Sequence, residues 1–247
     1  MWKHKLTDIK QTMQRTFLIL LLFFATTLVF GQTKSVSSEI LSQQATAKLF
    51  TDSLNKQLGI TYPIRSVYKC TDKSGQFFIV LTESNDAIIA GKDTLHYKIK
   101  AFNIHQDKSG LIKKWEMNDF IIKQSTNDDM ESSIWFWTKY SEFADIDNDS
   151  LIDPILIYGT SGMNYTSDGR IKILIYYKGQ KVTIRHQNGV LDFERNTQVD
   201  KEFYSLPTKL QDHVKRIMEK MTDDGNAIFP HGWQTAMKAR KLYFDEK

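Results

Sequence analysis

A chain of 247 residues with 33 Lys and Arg against 29 Asp and Glu carries a formal charge of +4, and its single cysteine, Cys70, excludes an intramolecular disulfide. Four of the basic residues, Lys3, Lys5, Lys10 and Arg15, fall within the first 31 positions against Asp8. The rest of the chain is therefore close to neutral and gives no electrostatic case for nucleic acid or an anionic membrane as partner.

The first segment, "MQRTFLILLLFFATTLVFGQTKS", combines a basic start, an apolar run from Phe17 to Phe30 and a small residue, Gly31. This predicts a signal peptide over residues 1–31, cleaved before Gln32, and a product exported to the periplasm or cell surface. Spanning a bilayer takes roughly 20 apolar residues; this run is shorter and holds Thr26 and Thr27, so no stable membrane anchor is expected after cleavage. Met13 is an alternative start to Met1. Cys70, in "RSVYKCTDKSG" with no His beside it, reads as a small buried residue rather than a reactive thiolate.

Residues 32–247 read as a single exported α+β domain. "SSEILSQQATAKLFTDSLNKQLG" places Ala47, Phe50, Leu54 and Leu58 at helical spacing and predicts one amphipathic helix stopped at Gly59. The runs "IRSVYKC", "QFFIVLTES", "LHYKIKAFNIHQ" and "LIKKWEMNDFIIK" are rich in β-branched and aromatic residues and predict strands. The tetrapeptide Asp-Lys-Ser-Gly closes two gaps between them, at 72–75 and 107–110, as hairpin turns or as the trace of a repeated two-strand unit. "SSIWFWTKYSEFA" and "PILIYG" predict strands on either side of an acidic stretch. "IKILIYY" and "QKVTIRHQ" flank a third hairpin at Lys178-Gly179. Pro207 opens a helix carrying Leu210, Val214, Ile217 and Met221 on one face. The expected fold is an antiparallel meander of about eight strands flanked by an N-terminal and a C-terminal helix.

In "DIDNDSLIDP", Asp145, Asp147, Asp149 and Asp153 occupy positions 1, 3, 5 and 9 of a loop. Such a set, with the Leu151 carbonyl at position 7, supplies the oxygen ligands that calcium takes at about 2.3–2.6 Å. An EF-hand is excluded because Leu156 stands at position 12. The alternative is an Asp-rich turn without a metal. The loop, 145–153, resembles the D-x-D-x-D-G-x-x-D loops of integrin-type FG-GAP and VCBS repeats, with Ser150 where those have Gly. That resemblance implies a structural calcium. More broadly, "FADIDNDSLIDPILIYG", "FYSLPTKLQDHVKRIME" and "FPHGWQTAMKARKL" resemble a family of exported proteins of flavobacterial type associated with surface polysaccharide biosynthesis, whose motifs carry no established catalytic role to transfer.

Catalytic patterns are sparse. Ser161 in "YGTSGMN" lacks the spacing of a nucleophile elbow, the histidines show no zinc spacing, and Glu116 with Asp119 near Trp115 could flank a sugar but reads first as a solubilising pair on a surface strand. Trp135, Trp137 and Tyr140, with Ser161, Asn164 and Tyr165 of the following small-residue loop, form a candidate ligand surface beside the acidic stretch; alternatively both tryptophans are core. Three classes stand: a carbohydrate or envelope-protein binding module, a hydrolase acting on envelope glycans, and a structural envelope protein.

Overall fold

The computed structural model describes residues 35–89, 93–121 and 131–246; the expected signal peptide lies outside them. Among the described residues no helix is long and apolar enough to cross a membrane. In chain order the elements are β1 (Ser37–Ile40), α1 (Gln43–Leu49), α2 (Asp52–Leu58), β2 (Ile64–Asp72), β3 (Gly75–Glu83), β4 (Ala87–Ile89), β5 (Asp93–Leu95), β6 (Lys98–Asp107), β7 (Gly110–Phe120), β8 (Ser133–Phe136), β9 (Glu142–Ala144), β10 (Asp153–Ser161), β11 (Arg170–Tyr177), β12 (Gln180–Gln187), β13 (Asn196–Val199), α3 (Thr208–Asp223), α4 (Trp233–Lys238) and β14 (Tyr243–Asp245).

The α+β class and the antiparallel pairing are as expected, but the strands do not form one meander. They divide into a first sheet ordered β1-β2-β3-β6-β7, a second ordered β14-β13-β12-β11-β10-β8 with β9 also on β10, and a small β4-β5 hairpin. The reason lies in strands that are apolar on both faces. On β3, Phe77, Ile79 and Leu81 face a cluster shared with Leu156 and Tyr158 of β10, while Phe78 and Val80 pack with Phe50 and Leu58 of the N-terminal segment. On β10, Ile155 and Ile157 turn the other way, onto Leu210, Val214, Ile217 and Met221 of α3. The result is four layers: α1-α2, first sheet, second sheet, α3-α4. Each large side chain taken from water contributes roughly 1.5–3 kcal/mol, and period-two alternation lets one strand serve two cores.

The N-terminal helix is also not continuous. Thr51 caps a new helix by accepting the Leu54 amide, and Phe50 leaves helical geometry at φ −97, ψ 73 to set its ring edge-on to Phe78. Gly59 ends α2 at φ 75, as its position predicts. Both Asp-Lys-Ser-Gly turns are built alike. Asp72 accepts from the amide and hydroxyl of Ser74 at 2.7 and 2.6 Å, and Asp107 accepts from both groups of Ser109 at 2.7 Å. Cys70 is fully buried and burial pushes its thiol up to about 12, so it is an inert core residue.

A buried polar plug holds the end of the second sheet to the segment after α3. Asn188 donates to the carbonyls of Thr166 (2.7 Å) and Asn226 (3.0 Å), while its Oδ1 accepts the Ile228 amide at 2.8 Å and meets His186 Nε2 at 2.8 Å. Burial lowers the His186 pKa to about 4. An unfolded histidine titrates near 6.5, so the unfolded chain binds the extra proton first. The stability contributed by neutral His186 is present above about pH 6.5 and is lost as pH falls through about 4. In urea denaturation at pH 7.5 and 4.5, the wild type should lose more stability on acidification than His186→Gln; equal losses would show that the ring does not carry this linkage.

Candidate functional site

The acidic stretch joins β9 to β10 and docks on the first sheet. Asp145 accepts the amides of Asp149 and Ser150, both at 2.9 Å, and Asp147 accepts the Asp149 amide at 3.1 Å and the Tyr177 hydroxyl at 2.9 Å. Asp149 accepts the Leu151 amide at 2.9 Å and pairs with Lys178 at 2.8 Å; the Lys178 contact, ahead of the Leu151 amide, holds its carboxyl below the usual range. The turn of β2-β3 grips the loop from outside. Asp72 Oδ2 accepts the Ile152 amide at 3.0 Å, the Lys73 amide donates to the Ser150 carbonyl at 3.1 Å, and Lys73 Nζ donates to the Asp149 carbonyl.

Asp145, Asp147 and Asp149 bring ligand oxygens within 4.8 Å of one another, a spacing one cation can bridge. Asp153 stands outside that triad. It is 2% exposed, accepts the Ile146 amide at 3.0 Å, and is pushed up to about 6 by burial, with the charges of Asp147 and Asp149 adding to the effect. Ser150 adopts φ 68, the left-handed backbone that the sixth position of the loop requires, and Asn148 does the same at φ 69.

The aromatic candidates meet elsewhere. A cleft of about 560 Å³ is lined by Trp135, Trp137, Tyr140 and Tyr165 together with Arg65, Glu83 and His96 of the first-sheet side. Trp137 is the core member of the set: it is 6% exposed and lies so close over Gly159 that a Cβ there would sit 2.5 Å from its ring. Its neighbour Trp135 is half-buried, 6.2 Å from Trp137 and 6.0 Å from the Tyr165 ring, and Tyr165 is 68% exposed. Tyr140 is held by its hydroxyl, which donates to Asp224 and accepts from Asn226, both at 2.8 Å. Trp135 and Tyr165 are therefore the rings offered to a ligand.

Glu83, 4% exposed, is the one carboxylate among the described lining residues. It accepts the Phe136 amide at 2.9 Å and lies 3.6 Å from His96 Nε2 and 3.7 Å from Arg65 Nε. Burial raises its pKa, outweighing the Phe136 amide, His96 and Arg65, which lower it. Nothing local in the sequence marks Arg65, Glu83 or His96, because they join the tryptophans only through the packing of two sheets.

The other expected residues lie apart from this cleft. No residue of 145–153 lines the cleft. The loop precedes β10, and Trp135 pairs with Gly159 of that strand; at about 3.3 Å per residue the six steps from Asp153 to Gly159 span about 20 Å. Leu151 and Asp153 instead line a separate cavity of about 310 Å³ with His105 and Trp115. Ser161 and Asn164 are not in the cleft lining: Ser161 is buried with its hydroxyl 2.8 Å from that of Ser132, and Asn164 bonds Asp168. Glu116 pairs with Lys100 and Lys113, whereas Asp119 joins Tyr158, Arg170 and Lys172 across the sheets. They do not form a catalytic pair.

No protein-family model, curated protein or solved structure matches this chain.

The left-handed Ser150 carries a testable cost. Glycine at 150 relieves roughly 1–2 kcal/mol of backbone strain in the folded chain and adds unfolded-state freedom worth about 0.4–1 kcal/mol in the opposite direction. Ser150→Gly should therefore raise stability slightly, by less than about 1.5 kcal/mol, in urea denaturation. A clear loss would mean that residue 150 is not left-handed in solution.

Proposed function

We propose that this protein is an exported binding module whose cleft takes an oligosaccharide, with the acidic loop holding a structural calcium ion. One observation carries the reading: Trp135 and Tyr165 line a concave site that also holds a buried carboxylate, an imidazole and a guanidinium. Aromatic faces stack on the apolar faces of sugar rings, and a few polar groups at the wall fix orientation. Hydrolysis in the common glycosidase manner takes two carboxylates flanking the bond, and the described lining supplies Glu83 alone; this favours binding over catalysis.

The calcium assignment rests on the three facing carboxylates, which are oxygen donors of the kind a hard cation takes. No residue of the loop lines the cleft, so the ion is assigned to stability and not to ligand contact. The resemblance to exported surface-polysaccharide proteins agrees with a glycan ligand outside the cytoplasm.

Titration of the folded chain with neutral and acidic oligosaccharides, followed by tryptophan fluorescence, tests the cleft. A shift in emission is expected on binding; Tyr165→Ala should weaken affinity at least tenfold with little change in melting temperature, whereas Trp135→Ala should weaken affinity and also lower the melting temperature, because that ring packs on the core. Absence of binding to every glycan would overturn the reading in favour of a structural protein. For the loop, millimolar calcium should raise the thermal midpoint relative to chelator, because a ligand of the folded state alone stabilises it, and Asp149→Ala should remove that shift. An equal response of wild type and variant would leave the loop an acidic turn.

A further inference from the structure

The cleft does not end at Tyr140. Lys139 and Tyr140 line it from one side and, from the other, line a second hollow of about 370 Å³ completed by Glu142, His213, Arg216 and Lys220. The three α3 residues recur at helical spacing, so they project along one face. Cationic groups outnumber the acids of this hollow, although Asp224 feels the charge of Lys220 and Asp212 that of Arg216. Glu142 is engaged by His213 Nε2 at 2.7 Å, and Lys139 is engaged by Asp224 at 2.8 Å.

Arg216 and Lys220 form no ion pair among the described residues. Arg216 Nη2 donates to His213 Nδ1 at 3.2 Å, and Lys220 Nζ stands 5.9 Å from the centroid of the Tyr140 ring. Glu142 accepts from the imidazole on one side while the imidazole accepts from the guanidinium on the other. That relay steadies the Arg216 side chain, although it is exposed. A guanidinium held this way presents a planar fork to a carboxylate, sulfate or phosphate, and the ammonium beside it adds a second positive charge.

Resting on the cleft as a glycan site, we infer that its ligand is an anionic polysaccharide: the sugar rings occupy the Trp135-Tyr165 side, and an anionic substituent crosses Lys139 and Tyr140 to reach Arg216 and Lys220.

The test compares three hexasaccharides, a neutral β-glucan, a polyuronate and a sulfated one, by calorimetric titration at low and physiological salt. Wild type, the double variant Arg216→Ala/Lys220→Ala, and Trp135→Ala are each titrated, with the melting temperature as the check on folding. Wild type should bind at least one anionic hexasaccharide ten-fold or more tighter than the neutral one, with affinity falling as salt rises. Whether the uronate or the sulfate gains more identifies the substituent. The double variant should lose that preference and its salt dependence while keeping neutral binding, and Trp135→Ala should weaken all three. Equal binding of neutral and anionic sugars by wild type, or a double variant that binds the anionic sugar as tightly as wild type, overturns the inference and leaves the cleft reading standing. No binding of any hexasaccharide overturns both.

Discussion

Two buried carboxylates of the first sheet complete the hydrogen bonding of the second, and the rest of the molecule is arranged around that fact. Glu83, at the end of β3, accepts the Phe136 amide, and Asp72, at the end of β2, accepts the Ile152 amide. Because β2 and β3 pair antiparallel, with Asp72 opposite Gly75 and Ile64 opposite Thr82, the two acids sit at opposite ends of the apolar seam. Hydrophobic contact between sheets is strong but indifferent to sliding. Charge-assisted bonds at both ends are directional and set the position of one sheet on the other.

Each end of the seam then acquires a different character. At the Glu83 end the second sheet stops short: β8 has only four residues, and its neighbour in space is the His96 segment, whose carbonyl accepts the Ile134 amide at 2.8 Å. A short strand meeting the end of another sheet leaves a concave corner, and the cleft occupies it. At the Asp72 end the same turn chemistry that closes β2-β3 is reused to hold the acidic loop. The second Asp-Lys-Ser-Gly turn, at 107–110, has the same internal bonds but holds no such loop among the described residues, so Asp72 owes its further role to its place in the fold.

How much of this was legible beforehand follows from the range of the interactions. The hairpins, the helix after Pro207, the Gly59 stop and the left-handed Ser150 depend on residues within a few positions of one another, and local spacing displays them. The partition into two sheets does not: Phe77 and Phe78 look alike in sequence yet belong to different cores. For the same reason the aromatic half of the cleft was readable in "IWFWTKY" as a cluster, whereas Glu83 and His96 were not, since Glu83 and Phe136, 53 positions apart, give no local sign of their meeting. The break at Thr51 was concealed by an apolar spacing that two short helices satisfy as well as one. Asn188 carries no signal in its neighbours, although three segments are pinned by its amide.

In the acidic loop one aspartate is set apart from the other three. Four aspartates at alternate positions suggest four inward carboxylates, but Asp153 is the first residue of β10 and the strand's pleat turns it into the interior, where it accepts the Ile146 amide. The three that remain are already partly neutralised: amides take both oxygens of Asp145, Tyr177 takes one of Asp147, and Lys178 takes one of Asp149. A cation added to the triad would face oxygen donors alone, which suits calcium and gives no advantage to zinc. Its effect would be to tie loop, β10 and the β2-β3 turn more tightly at the Asp72 end. Because that end and the cleft belong to the same pair of sheets, such an ion would stiffen the frame behind the binding corner without touching whatever binds there.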